Sequence, residues 1–286
     1  MSIRQITIIG TGLVGGSFGL AVKANGFRGK IVGCDRKDVL TKARRKHAID
    51  VGIADPVEAV RGSDVVLLAV PVGGIIGLIA TLAPHLAPDT LLTDVGSTKS
   101  EVLGAAEKAF GKAASRRFLA GHPMAGKENS GIEYADRDLF RGAVWFLAPA
   151  PDQNLRARGI SDFLGLIKKI GARIALLGAA EHDELCGWIS HVPQMISTAL
   201  ASTLVEEYGE NAPLLDSGGR ALREMTRIAA SPYSMWRDIA ITNRQIIGEA
   251  LLKVEQKLAH IRENLDTREL EREFEQAHRL KPGKGK

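Results

Sequence analysis

The apolar run at 6–9 leads directly into Gly10-Thr11-Gly12-Leu13-Val14-Gly15-Gly16-Ser17, so a buried strand has to turn sharply into a helix. Three glycines at this spacing serve a tight turn, close approach of backbone to a pyrophosphate, and close packing of helix on strand, with the helix N-terminus facing the phosphates. Alone the motif is weak, but Asp35 closes the next expected strand 20 residues past Gly15, where a dinucleotide fold needs its acid. A carboxylate there accepts hydrogen bonds from both ribose hydroxyls and repels a 2'-phosphate, which favours NAD over NADP. Arg36 and Lys37 leave NADP open, because either can turn toward a phosphate. The expected cofactor contacts are Gly10, Thr11, Gly12, Leu13, Val14, Asp35 and Arg36. Val70 and Pro71 join them, at a strand stopped by proline where the nicotinamide half would pass.

From Ile3 to about Leu177, short apolar and β-branched runs alternate with helical stretches, the pattern of a parallel sheet covered by helices. Strands are expected near 3–9, 30–34, 65–70, 90–94, 118–121, 143–148 and 173–177. The first helix should end at Asn25-Gly26, and another should begin at Asp55-Pro56. Beyond Leu177 the strand signals stop. The expected fold class is α/β, a Rossmann-type doubly wound sheet followed by an all-α C-terminal domain. We place a dinucleotide-binding domain at 1–178, a helical substrate and dimerisation domain at 179–280, and a disordered basic tail at 281–286. Ile247, Leu251, Val254, Leu258, Ile261 and Leu265 form an apolar seam that suits either an intrachain core or a subunit interface. Asp266 and Glu269 read as the capping box of a last, highly charged helix.

With 286 residues, 45% of them hydrophobic, the chain can bury a substantial core. Its apolar runs fall far short of the roughly 20 residues that span a bilayer, and the N-terminus lacks a signal-peptide pattern, so a soluble cytoplasmic protein with no membrane partner is expected. The net charge of +5 would admit nucleic acid, yet part of the excess lies in 281–286 and no aromatic-interleaved basic stripe accompanies it. No nucleic-acid partner is expected; an acidic small molecule suits a basic cleft equally well. Cys34 and Cys186 read as buried free thiols rather than a disulfide framework. His182 and Asp183 suggest a metal pair with His191, but no third ligand stands at suitable spacing, so no metal is expected.

The segment Gly121-His122-Pro123-Met124-Ala125-Gly126 puts a titratable imidazole in the second half of the sheet, where strand ends open onto a ligand crevice. Three further segments carry groups able to do chemistry: Asp94 to Lys99, Glu181-His182-Asp183 through Gln194, and Glu224-Met225-Thr226-Arg227 through Asp238. Together with the glycine turn they resemble the prephenate and arogenate dehydrogenase family of tyrosine biosynthesis, over nearly the whole chain. The resemblance implies NAD(P)-dependent oxidative decarboxylation of prephenate or arogenate by a homodimer joined through its helical domains. It assigns to His122 the catalytic hydrogen-bond acceptor for the substrate hydroxyl, and to Ser97 a contact that orients this imidazole and touches that hydroxyl. Arg227 matches the arginine that grips a substrate carboxylate with its two-pronged donor. Arg223 matches a basic position that reaches across from a partner subunit. Gly126, Lys127 and Glu128 match the mouth of the site, and His191 a histidine of the substrate pocket. In two places the chain departs from the family pattern, with Gln194 where HxPH is common and Glu224 where DxTR is common. Gln194 cannot carry the charge of a histidine, which points toward a neutral or zwitterionic side chain, as in arogenate. Two competing readings are a two-domain dehydrogenase of hydroxy or amino acids, which would leave the His122 block unexplained, and an NAD(H)-sensing protein without turnover.

Overall fold

The computed structural model describes residues 3–127, 129–210 and 217–280. The apolar runs become strands β1 (Gln5–Ile9), β2 (Lys30–Cys34), β3 (Val51–Gly52), β4 (Val65–Leu68), β5 (Leu91–Asp94), β6 (Phe118–Pro123), β7 (Val144–Ala148) and β8 (Arg173–Leu176). Among the described residues they build one eight-stranded sheet in the order β3-β2-β1-β4-β5-β6-β7-β8. Every neighbouring pair is parallel except β6 and β7, so the sheet is the doubly wound type expected, with one antiparallel pairing that the sequence pattern did not indicate. Among the described residues between those two strands the chain forms a short 3-10 turn at Ile132–Tyr134 and no crossover helix, and it doubles back. The two-residue β3 was not expected, being too short to show a periodicity.

Side chains alternate across the sheet with the period of two that a strand imposes. Ile6, Ile8, Val65 and Leu67 pack into one apolar cluster with Phe18, Trp145 and Phe163, while Ile9, Val66 and Leu68 pack into another with Ile75 and Leu92. The covering helices are α1 (Leu13–Ala24), α2 (Lys37–Arg45), α3 (Pro56–Ala59), α4 (Val72–Leu82), α5 (Ser100–Phe110), α6 (Ala114–Arg117) and α7 (Arg158–Lys169). Local punctuation works as read: α1 ends at Asn25, followed by Gly26 at φ +87°, and the Asp55 carboxylate accepts from the Glu58 N–H at 2.7 Å to cap α3.

After β8 come α8 (Ala179–Cys186), a π-helical turn at Gly187–His191, α9 (Val192–Tyr208), α10 (Arg220–Thr226), α11 (Tyr233–Thr242), α12 (Arg244–Glu263) and α13 (Arg268–Ala277). The π turn has a local cause. Pro193 has no N–H to offer the carbonyl four residues before it, so the helix widens where α8 passes into α9. Thr267, not Asp266, caps α13, its hydroxyl accepting from the Glu269 N–H at 3.2 Å, which corrects the expected capping box by one residue. The basic tail at 281–286 lies outside the described residues.

Acids of the helical part tie it to the sheet. Neither α4 nor α5 has a side-chain cap of its own. Asp238 accepts from the Gly73 N–H at 2.9 Å in the first turn of α4, and Asp183 accepts from the N–H groups of Lys99 and Ser100 at 2.6 and 2.8 Å at the start of α5. Of the apolar seam, Ile247 is buried, Leu251, Val254 and Ile261 are half-buried, and Leu258 and Leu265 are 57% and 64% exposed. No described helix is long and apolar enough to cross a membrane.

Candidate active site

A cavity of about 710 Å³ lies between the carboxyl ends of the strands and the helical part, running from Gly12 past Val70, Ser97 and His122 to Gln194, Arg227 and Trp236. At one end the glycine turn does two different jobs. Gly10 sits at φ +92°, and a Cβ there would come within 2.2 Å of the Ala69 carbonyl oxygen, so only glycine fits under β4. At Gly12 a Cβ would meet no atom within 4 Å; it would instead fill the open space in front of α1, whose first turn carries no side-chain cap. Free helix N–H groups facing open space suit a pyrophosphate. Gly12, Leu13, Val14, Val70 and Pro71 line this end, with Gly10 and Thr11 buried beneath. Asp35 closes β2 as expected and braces the turn, its carboxylate accepting from the Thr11 N–H at 2.7 Å and the Arg36 N–H at 2.8 Å. The Arg36 side chain stands in solvent near Asp38.

His122 lies in β6 at the middle of the cavity wall, and a buried ion pair holds its stretch of backbone. Lys99 and Asp94 pair directly, both fully buried. Lys99 Nζ donates to the Gly121 carbonyl at 2.8 Å, and the Gly121 N–H donates to Asp94 at 3.0 Å, so both peptide groups of the residue before His122 are held. The imidazole Nδ1 of His122 meets Nε2 of His182 at 2.9 Å, and Nδ1 of His182 meets the Asp183 carboxylate at 2.9 Å. Burial, then His182, Lys99 and His191, push the His122 imidazole well below its ordinary range, so it is neutral at neutral pH. For Asp183 burial works upward, but hydrogen bonds from His182, Ser100 and Lys99 outweigh it and hold the carboxyl low.

Several expected residues sit elsewhere or do something else. Ser97 lines the cavity, but among the described residues His182, not Ser97, makes the hydrogen bond that orients His122. His191 is fully buried and absent from the cavity lining, because its Nδ1 accepts from the Asn243 amide at 3.0 Å and its ring packs edge-on against Trp236. Burial pushes its pKa down to about 4. Arg223 is exposed on α10, outside the lining. Gly126 and Lys127 line the mouth, with Lys127 Nζ donating to Asp136 at 3.2 Å. Glu128 lies outside the described residues. Gln194 lines the far wall, its amide donating to the Ile228 carbonyl at 2.9 Å and to Thr198 at 3.2 Å. Arg227 follows α10 on the same wall.

Beside His122 and His182 stands a buried thiol whose proximity the spacing did not show. Cys186, one helical turn past His182, places Sγ 3.4 Å from His182 Nε2 and 3.8 Å from His122 Nδ1. Burial and Asp183 push its thiol up to about 12, so at neutral pH it is a protonated, weak donor. The segments that hold Asp94, Lys99, His182 and Asp183 were singled out in the sequence, but the Lys99–Asp94 pair, the His122–His182–Asp183 contacts and Asn243 were not. The one available signal was a charged pair five residues apart flanking a glycine turn at a strand end.

Known proteins resemble this chain along most of its length. The family described as prephenate dehydrogenase, nucleotide-binding domain, matches residues 18–176, and the one described as prephenate dehydrogenase, dimerization domain, matches 178–279. A prephenate dehydrogenase of Lactococcus lactis subsp. cremoris is 34% identical over 98% of this chain and 77% of its own length. The crystal structure of the A. aeolicus prephenate dehydrogenase with hydroxyphenyl propionate and NAD+ superposes with a TM-score of 0.85 at 30% identity, covering 98% of this chain and 96% of that one. Synechocystis arogenate dehydrogenase superposes with a TM-score of 0.75 at 25% identity, covering 96% and 97%. Two family models that together span nearly the whole chain, and a relative 34% identical over 98% of it, show that this chain belongs to the prephenate dehydrogenase family.

Proposed function

We propose that the protein oxidises prephenate with NAD to 4-hydroxyphenylpyruvate, releasing CO2, in tyrosine biosynthesis. The observation that carries this reading is a neutral imidazole, His122, set between a glycine turn shaped for a dinucleotide and an arginine, Arg227, in a single cavity. NAD, when bound, supplies the hydride acceptor. As the hydride leaves the ring carbon bearing the hydroxyl, His122 takes the hydroxyl proton. The bond to the ring carboxylate then breaks, its electron pair aromatises the ring, and the proton returns to the phenolic oxygen. Arg227 grips a substrate carboxylate, Ser97 touches the hydroxyl, Gly126 and Lys127 shape the mouth, and Asp35 receives the ribose hydroxyls.

A second reading, oxidation of arogenate, is favoured by Gln194. Its amide nitrogen is committed to Ile228 and Thr198, so its carbonyl oxygen is the group left to meet a ligand, and an acceptor suits an ammonium better than a keto oxygen. The reading also places the enzyme in the cytoplasm as a homodimer, divided near residue 178 into a dinucleotide domain and a helical substrate and dimerisation domain. Support for the dimer comes from the apolar side chains that α12 and α13 leave exposed, Leu258 and Phe274 among them, and Arg223 would serve the partner's site.

The test is the rise in absorbance at 340 nm with prephenate or arogenate crossed with NAD or NADP. Turnover is expected with NAD, and the ratio of kcat/KM for the two acids decides between the readings. His122→Asn should lower kcat by about 100-fold with NAD affinity unchanged, as for the loss of an acid–base group. Silence in all four mixtures, with NAD still bound, would overturn the proposal in favour of a binding protein.

A further inference from the structure

His122 must present a bare nitrogen to the substrate hydroxyl, and a neutral imidazole presents it at Nε2 only if the proton sits on Nδ1. The imidazole cannot make that choice alone. Its Nδ1 faces His182 Nε2, and the proton between them belongs to one ring or the other. What breaks the tie lies behind His182, outside the cavity lining. The Asp183 carboxylate receives the Lys99 and Ser100 N–H groups at 2.6 and 2.8 Å, at the N-terminal end of α5, which favours its ionised form. An ionised carboxylate only accepts, so His182 donates to it from Nδ1 at 2.9 Å. His182 Nε2 is then bare and acts as an acceptor, for which both its neighbours, His122 Nδ1 at 2.9 Å and the protonated thiol of Cys186 at 3.4 Å, are suited as donors.

We propose that the buried chain Asp183–His182–His122 fixes the tautomer of His122, making Asp183 and His182 positioning residues that keep Nε2 unprotonated toward the cavity. The inference deepens the reading of His122 as acceptor of the substrate hydroxyl and rests on it for its catalytic meaning. The charged and titratable groups facing this chain are Lys99 beside α5, Cys186 on α8 and His191 in the π turn; Phe146 of β7 packs edge-on against His182 and fixes its ring plane. Cys186 and His191 are neutral at neutral pH, so the direction of the chain is set from the Asp183 end. A carboxylate that orders an imidazole in this way acts through the tautomer and does not itself take the proton.

The decisive experiment reads the tautomer directly. In wild-type protein labelled with 15N-histidine, two-bond proton–nitrogen correlations should show His122 neutral with its proton on Nδ1; a proton on Nε2 overturns the proposal whatever the activity. In Asp183→Asn the carboxamide can donate to His182, the chain reverses, and His122 should shift to the Nε2–H form while kcat falls about 100-fold or more and KM for NAD stays put. An unchanged tautomer or unchanged kcat in that variant would equally sink it. Since Asp183 also caps α5, a second pair of variants guards against misfolding. His182→Gln keeps an acceptor for His122 and should retain kcat within about tenfold, whereas His182→Leu, of similar bulk, should lose about 100-fold. Equal rates for Gln and Leu would mean that His182 merely fills space. If no cyclohexadienyl acid turns over, the functional reading fails while the wild-type spectrum still decides on the chain.

Discussion

His122 is buried and its proton affinity is suppressed, so acid should inactivate the enzyme later than a free imidazole would suggest. Because the folded pKa is lowered, the neutral acceptor survives to more acid pH, and the acid limb of kcat/KM should have its midpoint below pH 6.5. Stability responds to the same groups in the opposite sense. A histidine with a lowered folded pKa leaves stability intact above about pH 6.5, and stability is lost as pH falls, because the unfolded chain binds the proton first. His191, held at about 4, is worth on the order of 3 kcal/mol across that window, so urea midpoints should fall steadily from pH 7 to pH 4. Lys99 carries a different load. In Lys99→Met the Asp94 carboxylate is left buried without its cation and the Gly121 carbonyl without its donor, which should cost about 3–5 kcal/mol in urea unfolding. His122 itself was legible as a residue, from the block around it. Its orienting partner was not, because His182 lies 60 residues away and only the packing of α8 against β6 and β7 brings the rings together.

The helices of the sheet domain show where local signals end. The glycine turn before α1 and the Asp55-Pro56 start of α3 could be read from the chain because donor and acceptor lie within a few residues. The caps of α4 and α5 could not, since their acids come from 165 and 84 residues downstream. A helix that borrows its cap from a distant segment links its own stability to the packing of that segment. Asp238→Ala should therefore cost about 1 kcal/mol, the usual value of a lost N-cap. At this chain length that is a fall of about 2–4 °C in Tm, seen by calorimetry. Pro193 acts in the same region by subtraction, withholding one N–H and widening the helix into the π turn that carries His191. The capping box expected at Asp266 failed by one residue because Thr267 reaches the same amide from inside the turn.

Among the described residues, the sheet and its covering helices bury most of their large apolar side chains within the chain, while the helical part leaves many outside. Leu258, Leu265 and Phe274 are each more than half exposed on α12, α13 and the turn between them. A second copy covering them is the simplest remedy for so much apolar surface. Leu258→Arg should convert a dimeric sedimentation profile to a monomeric one, and kcat should fall with it if Arg223 serves the neighbouring site. The cavity belongs to the same level of organisation, since its two ends come from the glycine turn and from Arg227, more than two hundred residues apart in the chain.

Residue order was enough to establish the alternation of strands and helices, the sharp glycine turn between the first strand and helix, and the change to an all-helical part, because each of these is written in spacings of a few residues. The direction of β7, the caps of α4 and α5, the ion pair that holds Gly121, the burial of His191 and the ordering of His122 came from the assembled fold. Each of those depends on contacts between distant segments, and a buried polar group takes whichever partner packing places beside it.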